Sequence, residues 1–193
     1  MKKIIVSALL FISIFQSKAQ TGVYKTYQDF VDRNLILMDT VDNYSWSSLS
    51  GAKIIFLNSQ GKKKVYKSKQ MWGFIFEGHL FRSIGLDIAA VIDTGKVCYY
   101  ESGIAHINMI MDNIASGQFT YGGSYYLSKS LNSKYYDSFK KLCKENPEFI
   151  PLQECVTNTK ARPKISDGAF AAKVDYSEVF NETRKCISSF NSN

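Results

Sequence analysis

Between Met71 and Gly103 the chain reads MWGFIFEGHLFRSIGLDIAAVIDTGKVCYYESG, a stretch of aromatic and β-branched residues cut at near-regular intervals by Glu77-Gly78, Gly85 and Thr94-Gly95. That pattern predicts consecutive β-hairpins. With Glu77-Gly78 as a two-residue turn, the period of two pairs Phe76 with His79, Phe74 with Phe81 and Trp72 with Ser83. One face is then aromatic, and the other carries Gly73, Ile75, Leu80 and Arg82. A three-residue loop with Gly78 in the left-handed region would shift this register by one. The next pair, Asp87 to Asp93 and Lys96 to Glu101, closes on Thr94-Gly95, and its run Ile88–Ile92 suits a strand covered on both faces.

On either side of this meander the pattern is more varied. Thr26-Tyr27-Gln28-Asp29 opens a short helix, with Thr26 placed to cap it and Asp29 in its first turn. Met38 to Gly51, rich in Asp, Asn and Ser, reads as an irregular connection with Trp46 tucked onto the core. Ala52 to Asn58 reads as an apolar strand, and Lys63 to Lys67 as a polar strand anchored by Val65. Ile104 to Met111 fits both periods, and the alternation of Ala105, Ile107, Met109 and Met111 selects a strand. Gln118 to Ser128 is a further strand, with a kink or bulge at Gly122-Gly123. Beyond Ser133 the period becomes helical: Tyr135, Tyr136, Phe139, Leu142 and Cys143 share a face until Asn146-Pro147 stops the helix. A short helix around Leu152 to Val156 carries Cys155. A last one, opening at Asp175, aligns Tyr176, Val179, Phe180, Thr183, Cys186, Ile187 and Phe190. Strand signals come first and helix signals last, so the expected class is α+β: a mainly antiparallel sheet of about six to eight strands from Ala52 to Ser128, helices at the C-terminal end and a short N-terminal helix.

The first residues change what compartment the chain is read in. Met1-Lys2-Lys3, an apolar run from Ile4 to Phe15 and small residues at Ser17 and Ala19 make a secretory signal peptide cleaved after Ala19. Its apolar run is too short to span a bilayer, and no later one is longer, so no transmembrane segment is expected in the mature chain. Cleavage removes Lys2, Lys3 and Lys18 and no acid, lowering the net charge from +7 to +4, too mild an excess to argue for nucleic acid. Residues 20–193 fit one domain with ample chain for a core. Export brings Cys98, Cys143, Cys155 and Cys186 into an oxidising compartment, and their spacing lacks the close pairs of a zinc site. Three connectivities are possible. Cys98 belongs to the sheet and Cys143 packs readily on a helix face, so Cys155–Cys186 is the first choice, worth about 3 kcal/mol in the chain-entropy picture.

Candidate chemistry is sparse. The two histidines, His79 at the hairpin tip and His106 within reach of Glu101 and Asp112, are weak candidates for a general base or metal ligand. No HExxH, GxSxG, phosphate loop or nucleotide fingerprint supports them, so no metal or cofactor is expected. A Cys98–His79 dyad gives way to Cys98 as a core thiol. Tyr99-Tyr100, Tyr121 and Tyr125-Tyr126, with Tyr135-Tyr136, could form a tyrosine platform for a glycan or peptide, against the plainer reading of core packing. Lys62, Lys63, Lys64, Lys67 and Lys69 give five lysines in eight residues. They read as an anionic-surface patch or, more plainly, as an edge strand kept soluble by charge. Asn181-Glu182-Thr183 matches a glycosylation acceptor but falls inside the last helix.

Three stretches, GVYKTYQDF, KKKVYKSKQMWGFIFEGHLFRSI and YYLSKSLNSKYYDSFKKLCKENPEF, together resemble small secreted proteins of Bacteroidetes bacteria that themselves lack an assigned function. The resemblance implies a periplasmic, outer-membrane-associated or extracellular setting and transfers no functional residue. The expected function is a non-enzymatic binding or interaction protein of the envelope, contacting an envelope protein or glycan through Tyr99, Tyr121, Tyr125, Lys63 and Lys64. The alternative is a hydrolase centred on His79 or His106.

Overall fold

The computed structural model describes residues 19–111, 123–166 and 173–193. The expected signal peptide before Ala19, Tyr121 and Asp112 fall outside them. In chain order the elements are β1 (Thr21–Tyr24), α1 (Tyr27–Val31), β2 (Ile36–Met38), β3 (Thr40–Ser47), β4 (Gly51–Leu57), β5 (Lys63–Lys67), β6 (Gly73–Phe76), β7 (His79–Ile84), β8 (Asp87–Asp93), β9 (Cys98–Ser102), α2 (Gly103–Met111), β10 (Tyr125–Ser128), β11 (Tyr135–Tyr136), α3 (Phe139–Glu145), α4 (Ile150–Asn158), β12 (Lys164–Ser166), β13 (Lys173–Asp175) and α5 (Ser177–Ser192). The class is α+β. The main sheet has eight strands in the order β11-β10-β9-β8-β7-β6-β1-β2, antiparallel throughout, beside a three-stranded sheet β3-β4-β5 and the hairpin β12-β13.

The central hairpin has the register that a two-residue turn demands: Phe76 opposite His79 and Phe74 opposite Phe81. Glu77 and Gly78 both have positive φ, 46° and 79°, the primed-turn geometry that matches strand twist. Phe74 and Phe81 stack with ring centroids 4.7 Å apart. Around them Val23, Ile54, Phe56, Ile88 and Ala90 close a core in which the three-stranded sheet covers one half of the main sheet. The other half, around Val97, Tyr99 and Leu127, is covered on the same face by α3, α4 and α5. Helix α2 lies at the seam, with Ile107 in the first core and Ala105 packed with Phe180.

Four expectations change. Met38 to Gly51 is not irregular: Thr40 to Ser47 form β3, paired along β4 with a bulge between Val41 and Asn43. Ile104 to Met111 is helix, not strand. Tyr135-Tyr136 pair with β10, and the helix begins after them, capped by Ser138 through the Lys141 amide. In β5 the inward residue is Tyr66, edge-on to Phe56 at 5.9 Å, while Val65 is 54% exposed. The main sheet also reaches back to β1 and β2, whereas Ala52 to Lys67 belong to the smaller sheet. β1 is inserted between β2, which follows it directly after α1, and β6, a partner remote in sequence that no local pattern identifies.

Candidate functional site

The small sheet has two unlike faces. Ile54 and Phe56 alternate into the core, so Lys53, Ile55 and Leu57 point the other way. Register places Lys53 directly opposite Lys67, and Ile55 opposite Val65. Facing like charges destabilise a sheet, so the pair does not owe its place to stability. Lys63 meets Asp42 at 2.9 Å; Lys53, Lys62, Lys64, Lys67 and Lys69 make no ion pair among the described residues.

The β3–β4 hairpin ends in an apolar tip, on which Trp46 shares the face of Ala52 and Ile54, opposite to that of Lys53 and Lys67. Leu49 is 95% and Trp46 53% exposed, contrary to the expectation that Trp46 tucks onto the core. Trp46 lies opposite Ala52 on an edge strand, one rung from the tip. The tip is braced: the Ser50 amide donates to Ser47 Oγ at 3.0 Å, and the two hydroxyls meet at 2.6 Å. Its base is pinned where the Ala52 amide donates to the Leu86 carbonyl at 2.8 Å. Gly51, at φ 70°, passes so near that a Cβ there would lie 2.7 Å from the Leu86 carbonyl oxygen.

The tyrosines divide. Tyr99 is fully buried among the helices, and Tyr125 packs half-buried on Tyr99 and Phe139, so neither forms a surface platform. Tyr135 is exposed and, with Tyr136, Lys134, Lys141 and Lys144, lines a shallow groove of about 340 Å³. Lys134–Glu145 and Lys141–Asp137 pairs, each at 2.6 Å, largely neutralise it.

The histidines stand apart. His79 is exposed at its turn, without a hydrogen bond or ion pair among the described residues, while Cys98 lies buried in β9. His106 faces inward from α2, its Nε2 2.9 Å from Glu101 Oε2. Arg184 of α5 grips the same carboxylate, Nε to Oε1 at 2.7 Å and Nη2 to Oε2 at 2.5 Å. Burial pushes the fully buried Glu101 carboxyl up, but hydrogen bonds and charge from His106 and Arg184 outweigh it and hold the group below its ordinary value. The neighbouring Tyr99 hydroxyl is pushed well above its usual value, by burial first and the Glu101 charge second. Sequence proximity marked Glu101 and His106 together but not Arg184. A cation four residues after Phe180 on the apolar stripe of α5 was the available signal.

On the opposite face of the main sheet, Arg82 donates to the Tyr100 hydroxyl at 3.1 Å and to the Ser133 carbonyl at 3.2 Å. Tyr100 in turn meets Ser128 Oγ at 2.7 Å, and burial pushes its hydroxyl up to about 12. Burial likewise pushes the Cys98 and Cys143 thiols up, which leaves them protonated and inert. No three metal-ligating side chains cluster among the described residues. Comparison of the chain with protein-family models, curated proteins and solved structures finds no match.

Proposed function

We propose that the chain is an exported, non-enzymatic binding protein whose contact surface is the lysine-bearing face of the small sheet and whose partner is anionic. A disulfide within the chain, between Cys155 and Cys186, and the lack of any described helix long and apolar enough to cross a membrane are compatible with export. The observation that carries the reading is the opposed Lys53–Lys67 pair, with Lys62 and Lys69 on either side of β5 in the chain and, among the described residues, no carboxylate paired with any of the four. A partner bearing negative charge relieves that repulsion, and the contact is steered and salt-sensitive.

Retention of residues 20–193 on immobilised heparin, a polyanion probe, tests this. The Lys53→Gln/Lys67→Gln variant is expected to elute at clearly lower salt than Lys140→Gln/Lys144→Gln, which removes the same charge from α3. Equal elution of the two variants overturns the reading.

A hydrolase is the second reading, and the contact between Glu101 and His106 is what favours it, because a buried carboxylate orients an imidazole for proton transfer. Against it, Arg184 already engages both oxygens of that carboxylate. Turnover of an ester, peptide or glycoside that His106→Ala abolishes, with the fold retained by circular dichroism, would put the hydrolase in place of the binding protein.

A further inference from the structure

Resting on the binding reading above, we propose that the anionic partner is a phospholipid bilayer surface, and that the β3–β4 tip enters it. Three features of one hairpin converge. Its loop presents a nearly fully exposed leucine, Leu49, and the end of β3 beside it a half-exposed indole, Trp46, on the face opposite to that of Lys53, so a tip entering end-on carries apolar surface in the loop and on one face and the basic row on the other. Polyanionic chains in water gain little from such residues, whereas the boundary between headgroups and acyl chains takes up an aliphatic side chain and favours tryptophan, whose ring is apolar and whose N–H stays hydrated.

The charge stands at the matching depth. Ser47 opposite Gly51 is the first rung, Trp46 opposite Ala52 the second and Ser45 opposite Lys53 the third, where Lys67 completes the row. At the strand rise, that basic row lies roughly 7 Å behind the first rung. Interfacial elements bury their apolar parts about 5–10 Å deep, so ammonium groups at this height meet headgroup phosphates while Leu49 reaches the acyl boundary. Val65, exposed beside Ile55, extends the apolar strip between the Lys53–Lys67 row and Lys63.

The tip is also ready-made. The Ser47–Ser50 contacts fix its loop, and the Ala52 amide and Gly51 hold its base against Leu86. Little ordering accompanies insertion, so the exposed area is available for binding.

The test uses residues 20–193 with vesicles of phosphatidylethanolamine and phosphatidylglycerol, phosphatidylcholine vesicles, and the heparin matrix in parallel. Sedimentation is expected to show partition into the anionic vesicles only, weakened by salt. Trp46 fluorescence in a Trp72→Phe background should shift to the blue, and sedimentation supplies the same comparison without that substitution. Trp46→Ser/Leu49→Ser should lower the vesicle partition coefficient at least about tenfold, the effect of withdrawing two large apolar side chains, while leaving heparin retention unchanged. Lys53→Gln and Lys67→Gln should each lower it roughly fivefold. Heparin retention without vesicle binding, or vesicle binding indifferent to the tip variant, overturns the bilayer proposal and leaves the anionic-partner reading standing. Loss of the lysine dependence on both probes removes both.

Discussion

At Glu101 burial and pairing act in opposite directions, and pairing wins because two cationic donors reach one carboxylate. A carboxyl held below its ordinary 4.5 contributes stability that is fully present above that pH and is lost as pH falls through the lower folded value. Glu101→Gln should therefore be less stable at neutral pH but lose less stability on acidification below about 4.5, as read from urea unfolding at a series of pH values. Asp137, Glu145 and Glu148, held low by exposed lysines, and Asp175, held low by hydrogen bonds from Ser177, remain in both proteins. The difference between variant and parent thus isolates Glu101. An acid limb identical in the two proteins would refute the role. The same scale explains why the tyrosines were hard to read. A tyrosine doublet sends one ring to each face of a strand, and which ring meets helices is set by the layer above, as Tyr99 under α3–α5 and Tyr100 on Arg82 illustrate.

The secondary-structure elements owe much to single residues at their ends. Glu77 is a side-chain-bearing residue at positive φ in a two-residue turn, so Glu77→Asn should raise stability by a few tenths to about 1 kcal/mol. A rise in the urea midpoint checks it, and a fall would contradict the turn assignment. Helix α2 begins directly after β9 at Gly103, where a Cβ would stand 2.5 Å from the Ile88 carbonyl oxygen and 2.8 Å from its carbon. Those are backbone atoms, so Gly103→Ala should cost about 1–3 kcal/mol, visible as a lowered thermal midpoint. Unchanged stability would mean that the junction has room to yield. α2 itself was misread because its apolar residues satisfy both periods, and contact with two cores, through Ile107 and Ala105, decides for helix. Val65 and Tyr66 pose the same problem one residue apart. Either could be the anchor until Tyr66 is seen opposite Ile54.

For the whole molecule, the bond from Cys155 on α4 to Cys186 on α5 closes a loop of 31 residues and ties together the helices that cover β9–β11. Reducing it should lower stability by about 3–4 kcal/mol in the chain-entropy picture, measured as the urea midpoint with and without reductant. Thiol titration should find Cys98 and Cys143 unreactive in the folded protein and reactive once it is unfolded, both being buried with raised thiol values. Fast labelling of either in the native state would contradict that burial.

Local chemistry in the sequence determined the central meander with its turn residues, the α+β class, the α1 cap, the stop at Asn146-Pro147 and the stripe of α5, because each depends on neighbours a few positions away. Assignment of β3–β5 to a second sheet, the insertion of β1 between β2 and β6, the exposure of Trp46 and the grip of Arg184 on Glu101 depended on the tertiary structure. Each brings together or separates residues far apart in the chain. Which face of a period-two strand meets a second layer is a property of that layer, not of the strand.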